Sequence, residues 1–255
     1  MLYLGLFIYG AGIFLIGQIF NISGDYIEAF FFWSLGAMTI SYIFKDKFLY
    51  VLSIILLLIF INGNLSENIL TQGLLLCIIG VYIESAIGKN RLTVFTRNLM
   101  LLNMLLSITT LIELKGLYTV LIYFVIGATM IYFKQKNFNI IYKIQGNIIV
   151  GISGLILSFE GIWNTVLSYK ISETVSVIAG LAFFIYLLVQ VRKQSIIALV
   201  FTCILVFRYY FDTLYSFMPK FLFFIIAGLL LIGFGFYFEK MRKSLGGIEN
   251  EKHND

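Results

Sequence analysis

The chain has 255 residues and a formal net charge of +5, with 60% apolar, 17% aromatic and only 12% charged residues. Its mean hydropathy is +0.97. These values lie outside the usage of soluble globular domains and exclude a water-soluble protein. The apolar residues come in blocks that match the ~20 residues needed to cross ~30 Å of hydrocarbon as a helix. We therefore predict an all-α, polytopic transmembrane helical bundle.

Ten apolar blocks follow one another along the chain, and we predict a helical span for each because backbone groups in lipid must be satisfied internally. The blocks are roughly residues 2–20, 27–44, 48–62, 69–88, 98–113, 117–133, 140–159, 171–191, 195–213 and 219–238. The third block is the weakest of the ten because it is the shortest. We predict one transmembrane domain over residues 1–240 and a short, charged cytoplasmic tail over residues 241–255.

The first block, "YLGLFIYGAGIFLIGQIF", is rich in glycine. On a helix, Gly5 and Gly12 share one face, and Gly10 and Gly17 share another. Small residues allow close approach of helices in lipid. The pattern predicts that this helix has two close neighbours and lies in the interior of the bundle.

The fourth block carries a carboxylate, Glu84, five residues before Lys89. A carboxylate near a span boundary usually meets a base, so we predict pairing with Lys89 or another base at the inner end. On that interpretation Glu84→Gln should cost only modest stability. The alternative is a proton-coupling carboxylate, because acids inside membranes also mark proton relays.

The seventh block contains "GNIIVGISG", with Gly146, Gly151 and Gly154. Such a run has two interpretations, which are local unwinding of the helix and close packing against neighbouring helices.

The ninth block contains two charges, Arg208 and Asp212, at a spacing of i, i+4. If Arg208 only reached the head groups, it would be an interfacial anchor and would need no partner. We predict instead that Asp212 holds it together with Asp25 or Glu28, since a guanidinium can grip two carboxylates.

The basic residues predict the orientation. Of the 18 bases, 14 follow even-numbered blocks: Lys45, Lys47, Lys89, Arg91, Arg97, Lys134, Lys136, Lys143, Arg192, Lys193, Lys240, Arg242, Lys243 and Lys252. The positive-inside rule then places both termini in the cytoplasm. A basic cytoplasmic face also suits anionic lipid head groups. Opposite to it, six polar groups form a predicted outer set: Gln18, Asp25, Glu28, Glu160, Arg208 and Asp212.

Two stretches of the chain resemble a known family. They are "GAGIFLIGQIFNISGDYIEAFFFWSLGAM" (residues 10–38) and "FRYYFDTLYSFMPKFLFFIIAGLLLIGFGFYFEKMRK" (residues 207–243). They resemble the bacterial predicted membrane proteins classed as domain of unknown function 2157. The matching features fall on Gln18, Gly24, Asp25, Trp33, Arg208, Asp212, Gly228, Gly233 and Glu239. The resemblance implies a multi-pass protein of the bacterial cytoplasmic (inner) membrane and carries no established activity.

The residues available for chemistry argue against an enzyme. The spans contain no histidine and no pair of aspartates, and the sequence has no nucleotide-binding glycine motif. We expect no catalytic residues, no metal, no cofactor and no nucleic-acid partner. The leading hypothesis is a protein that binds or translocates a small solute or lipid through an outward-facing polar cavity formed by the outer set. The alternative is a non-catalytic structural or accessory subunit, with a membrane-protein partner or a second copy of the chain.

Overall fold

The computed structural model describes residues 1–20, 26–63, 66–132, 138–214 and 220–251. Every regular element within these ranges is an α-helix. The helices are α1 (Leu2–Ile19), α2 (Tyr26–Phe44), α3 (Lys47–Gly63), α4 (Glu67–Ile87), α5 (Arg91–Leu111), α6 (Gly116–Tyr132), α7 (Asn139–Leu157), α8 (Glu160–Trp163), α9 (Tyr169–Arg192), α10 (Ile196–Leu214) and α11 (Lys220–Glu251).

Eight of the helices in the described ranges are long and apolar enough to cross a membrane: α1, α2, α4, α5, α7, α9, α10 and α11. The two others of appreciable length, α3 and α6, are apolar but have only 17 residues each. The structure thus confirms an all-helical protein with several helices that can span a bilayer.

Two helix boundaries differ by several residues from the predicted blocks, and one short helix is additional. α5 begins at Arg91, because the Thr93 hydroxyl accepts a hydrogen bond from the Asn90 amide at 2.9 Å and caps the helix there. Arg97 therefore lies within α5 and not in a loop. The short helix α8 corresponds to no predicted block, and α11 continues through Glu251, well into the predicted tail.

The chain forms two compact units. Unit 1 comprises Met1–Leu114 and Lys134–Tyr142, and unit 2 comprises Lys115–Phe133 and Lys143–Asp255.

In unit 1, α3 packs against α2, α4 and α5, and it contributes more buried residues to the core than any other described helix of the unit. Its residues Tyr50, Ile54, Leu57 and Phe60 are all fully buried. The shortest predicted block is thus the most enclosed helix of this unit.

The prediction that α1 is interior is wrong. Only Leu6 and Gly10 of α1 are buried. The Trp33 indole of α2 occupies the space beside Gly10, where an added Cβ would lie 2.1 Å from the ring, and the indole N–H donates to the Leu6 carbonyl at 3.1 Å. Among the described residues, nothing lies within 4 Å of the Cβ positions of Gly5, Gly12 or Gly17. The glycine pattern therefore accommodates one aromatic side chain and not two neighbouring helices.

In unit 2, the glycines of α7 serve close packing. A Cβ at Gly146 would lie 2.7 Å from the Gly127 carbonyl oxygen of α6, and one at Gly154 would lie 2.3 Å from the Phe183 ring of α9. Gly151 lies under the Phe201 ring in the same way. Because α7 is an unbroken α-helix, the close-packing interpretation is confirmed and local unwinding is wrong.

Two very short turns join antiparallel helices within the units. In each, a non-glycine residue adopts a left-handed conformation after the helix end, with φ of 52° at Lys45 and 60° at Gln194. The next residue then caps the following helix: Asp46 Oδ1 accepts from the Phe48 amide at 2.7 Å, and Ser195 Oγ accepts from the Ala198 amide at 3.3 Å. In each turn, the first residue reverses the direction of the chain and the second caps the next helix.

Candidate functional site

Two residues of the predicted outer set lie together in unit 1. Gln18, at the end of α1, and Glu28, in the first turn of α2, line one open groove of about 600 Å³, which we call the α1–α2 groove. Its walls include four aromatic side chains, Tyr9, Phe14, Tyr26 and Phe32. Gln18 and Glu28 are thus neighbours in one cavity, and their role as a binding site stays a prediction.

The fold holds the aromatic walls in place. The Tyr9 hydroxyl donates to the Phe32 carbonyl at 3.2 Å, and the Tyr9 ring packs onto Gly36 of α2, where a Cβ would lie 2.4 Å away. Phe14 meets Phe30 edge-on at a centroid distance of 5.5 Å. These contacts fix the orientation of Tyr9 and Phe14 on the side of α1 that faces α2.

Glu28 also lines a second, polar pocket of about 300 Å³ at the start of α4. The other polar side chains of this pocket are Ser66, Asn68, Thr71 and Gln72. Ser66 caps α4 by accepting a hydrogen bond from the Ile69 amide at 3.4 Å. Glu28 thus lies between an aromatic groove and a set of neutral hydrogen-bonding groups, and it is the one charged residue among the described residues that line either cavity.

The chemistry of the α1–α2 groove suits a positively charged, partly apolar group. Among the residues that the structure describes, no base forms an ion pair with Glu28. Aromatic faces attract cations through their quadrupoles, and a carboxylate without a base partner adds a direct charge interaction. An anion would instead meet the Glu28 charge with nothing in the lining to offset it.

A second polar centre of unit 1 contains Glu84. Its carboxylate is buried, with 1% of the side chain exposed, and Oε2 lies 2.9 Å from the Arg97 Nη1 atom of α5. Arg97 also contacts the Asn98 Oδ1 atom, and its Nη2 atom donates to the Tyr142 hydroxyl at 2.7 Å. The prediction that Glu84 pairs with a base is confirmed, and the base is Arg97, not Lys89.

Arg97, Asn98 and Tyr142 are site residues that the sequence analysis did not select. The predicted block begins at residue 98, so Arg97 is assigned to the preceding loop, whereas α5 begins six residues before it at Arg91. The signal that identifies it is the short turn at residues 88–90, which makes α4 and α5 an antiparallel hairpin and brings the end of one beside the start of the other. The sequence analysis also did not select Asn62 of α3 and Asn103 of α5. Their side-chain amides donate to each other at 3.1 and 3.2 Å.

In unit 2, Arg208 contacts an acid, a hydroxyl and two aromatic rings, and the Tyr209 ring centroid lies 5.0 Å from its guanidinium carbon. The Arg208 Nε atom lies 3.3 Å from Asp212 Oδ2, its Nη1 atom donates to the Ser158 hydroxyl, and its guanidinium carbon lies 3.8 Å above the Phe159 ring. The Asp212 contact is an ion pair without the alignment of a hydrogen bond, since Nε has no aligned acceptor. The predicted Arg208–Asp212 pair is therefore present, and Ser158 and Phe159, which precede α8, provide further contacts.

The remaining predicted residues have separate surroundings. Glu160, in α8, accepts a hydrogen bond from the Asn164 side chain at 3.3 Å, and Asn164 in turn accepts one from Ser172. Asp25 lies outside the described residues. The pairing of Arg208 with Asp25 or Glu28 stays a prediction. Within the described ranges, no group of three or more His, Cys, Asp or Glu residues is arranged to hold a metal ion.

Fold and site together define a polytopic helical membrane protein with several helices that can span a bilayer. Residues 1–50 match the model of a family described as predicted membrane protein, domain of unknown function 2157 (DUF2157). This match covers the first of the two stretches on which the resemblance was based, and it includes both sides of the α1–α2 groove. No curated protein and no solved structure matches the chain.

Proposed function

We propose that this protein is a non-catalytic membrane protein that binds a small amphipathic organic cation in the α1–α2 groove. The observation that carries the proposal is the shared location of Gln18 and Glu28 in one cavity with aromatic walls. Glu28 supplies the negative charge, and Tyr9, Phe14, Tyr26 and Phe32 supply the apolar and cation–π contacts. The Gln18 amide offers a hydrogen bond that selects among cations of similar size.

The proposal includes a topology of ten spans in a bacterial cytoplasmic membrane, with both termini in the cytoplasm. A helix of 17 residues is about 25 Å long, which is shorter than the ~30 Å hydrocarbon core. α3 buries eight of its 17 residues in unit 1, but Phe48, Ile55 and Ile59 are exposed. Local thinning of the bilayer would let so short a helix cross it. The distribution of basic residues supports the orientation, and it puts the α1–α2 groove at the outer surface.

The test uses the purified protein in detergent and tetraphenylphosphonium as the probe. Its binding is measured by equilibrium dialysis, with tetraphenylborate as an anion of the same shape. Glu28→Gln should weaken cation binding about five- to tenfold, the loss of one partly exposed charge interaction. Glu67→Gln is the matched control, because Glu67 is an exposed acid at the start of α4 that lines neither cavity.

Equal effects of Glu28→Gln and Glu67→Gln would show that the cation responds only to the overall charge of this face. Equal binding of the anion would contradict the role of Glu28 altogether. Loss of binding in Tyr9→Leu with Glu28 intact would support the aromatic wall as the second half of the site.

A second candidate function is that of a structural or accessory subunit. The observation that favours it is the small buried share of two terminal helices, since only 11% of the membrane-length segment of either α1 or α11 is buried. Helices so exposed can pack against another membrane protein or a second copy of the chain. Light scattering of the detergent complex tests self-association. If Gly12→Leu, at an open position on α1, converts an oligomer to a monomer and Glu28→Gln leaves cation binding unchanged, the accessory function replaces the binding function.

A further inference from the structure

A second groove lies in unit 2, far in sequence from the α1–α2 groove. Helices α9, α10 and α11 line an open apolar groove of about 610 Å³, which we call the α11 groove. Its floor is buried and consists of Val191, Leu199 and Thr202, and the Thr202 hydroxyl is already bonded to the Ala198 carbonyl at 2.8 Å. Its outer wall is formed by α11 from Ile226 to Tyr237. The groove therefore offers apolar contact and no free side-chain donor on its floor.

The length of the α11 groove matches one leaflet of a bilayer. From Ile226 to Tyr237 the wall spans twelve residues, whose eleven steps of ~1.5 Å make about 16 Å of helix. Half of a ~30 Å hydrocarbon core is about 15 Å. An extended acyl chain of a membrane lipid would fill such a groove from the middle of the bilayer to its surface.

At one end the α11 groove meets a smaller cavity of about 270 Å³ that shares Val191 and Tyr237 with it. This cavity is lined by two bases, Arg192 at the end of α9 and Lys240 of α11. Among the side chains that the structure describes, no carboxylate pairs with either of them. The acid next to Lys240, Glu239, pairs instead with Lys243 at 3.1 Å. The mouth of the groove therefore presents two positive charges that are not neutralised.

We propose that the α11 groove is a binding site for one anionic phospholipid, with an acyl chain along α11 and the phosphate between Arg192 and Lys240. A lipid with a net-neutral head group would fill the apolar part equally well, but its head group would bring no net negative charge to the two bases. A second copy of the chain would need an acidic helix end to match the same bases. The arrangement of an apolar slot under a basic mouth fits an anionic lipid better than either alternative.

The test measures lipid binding to the purified, delipidated protein by native mass spectrometry. The probes are dioleoylphosphatidylglycerol and dioleoylphosphatidylcholine, which have the same acyl chains and differ in head-group charge. Each base near a charged lipid surface contributes about a fivefold factor, so Arg192→Gln with Lys240→Gln should weaken binding of the anionic lipid about thirtyfold. Lys193→Gln is the control for charge, because it removes a neighbouring base that lines neither cavity.

A separate substitution, Gly233→Leu, tests the part of the site that would hold the acyl chain. Gly233 lines the α11 groove and has nothing within 4 Å of its Cβ position, so Gly233→Leu fills the slot without a clash at its Cβ. Gly228 is equally open but lines no described cavity, and Gly228→Leu is its control. Gly233→Leu should abolish the tight anionic-lipid adduct, while Gly228→Leu should leave it unchanged.

The outcomes separate the occupants. Loss of the phosphatidylglycerol adduct in both the charge and the slot variants, but in neither control, supports the proposal. Equal affinity for the two lipids, or equal effects of Lys193→Gln and the double charge variant, overturns it. A dimer that Gly233→Leu disperses without any change in lipid affinity would assign the groove to a second copy of the chain and would also overturn the proposal.

Discussion

Replacing Glu84 should destabilise unit 1, and the loss should be larger when the new side chain offers Arg97 no hydrogen-bond acceptor. Sequence reasoning predicts a modest loss for Glu84→Gln because it places the carboxylate near a boundary. The structure changes that prediction, since only 1% of the Glu84 side chain and 14% of the Arg97 side chain are exposed. Removing one member of a buried pair leaves an uncompensated charge and costs about 3 to 5 kcal/mol.

The contacts that Arg97 keeps in each Glu84 variant decide whether the loss lies near the lower or the upper end of that range. In Glu84→Gln, the amide oxygen can still accept from Arg97 Nη1, and the contacts of Arg97 to Asn98 and Tyr142 remain. We therefore expect a loss of about 3 kcal/mol for this variant, and about 5 kcal/mol for Glu84→Leu, which provides no acceptor. The double variant Glu84→Leu with Arg97→Met should recover most of the loss, because an apolar pair of similar size needs no charge compensation.

The two tryptophans allow the effect to be assigned to a unit. Trp33 lies in unit 1 and Trp163 in unit 2, and they are the two tryptophans of the chain. In a Trp163→Phe background, the fluorescence of Trp33 reports unfolding of unit 1 as dodecyl sulfate is added to the detergent micelles. Lys89→Gln, which removes an exposed base of unit 1, is the control and should change the unfolding free energy by less than about 0.5 kcal/mol. A Glu84→Gln protein as stable as this control, or a double variant no more stable than Glu84→Leu, would refute the reasoning.

Two further predictions concern the other charged helix ends. Arg208→Lys should destabilise unit 2 by about 1 to 2 kcal/mol, because an ammonium cannot reach Ser158, Asp212 and the face of Phe159 at the same time. Unfolding followed through Trp163 measures this, with Arg242→Lys as control, and a silent Arg208→Lys would reduce the residue to an interfacial anchor. At Asp46, partial burial opposes ionisation, but hydrogen bonds from the Leu49 amide, Tyr3 and the Phe48 amide outweigh it and lower the pKa of this carboxyl below its ordinary value of 3.8. Its contribution to stability should therefore be present above that ordinary pKa and be lost as the pH falls below it. The stability difference between the wild type and Asp46→Asn should shrink between about pH 5 and pH 3, and a difference that stays constant over this range would contradict the assignment.

The sequence by itself determined the class of protein and the positions of its long helices. The predicted block at residues 27–44 became α2 (Tyr26–Phe44), and the block at 48–62 became α3 (Lys47–Gly63). This agreement has a physical cause, because the hydrocarbon thickness sets the length of an apolar block and the backbone in lipid must bond within its own helix. The Arg208–Asp212 pair was predictable for a related reason, since residues at i and i+4 meet on any α-helix.

Only the tertiary structure decided which surfaces of those helices are used. The glycines of α1 and α7 look alike in sequence, yet α7 packs its glycines against Gly127, Phe201 and Phe183, and α1 leaves three of its glycines open. The tertiary structure also pairs Glu84 with Arg97 and brings Gln18 and Glu28 into one groove. In water, an apolar face marks the protein core, but lipid tails are as apolar as leucine, so the same residues suit a face toward lipid or toward protein. For that reason the apolar pattern predicts where this chain crosses a membrane and carries little information about which helices meet.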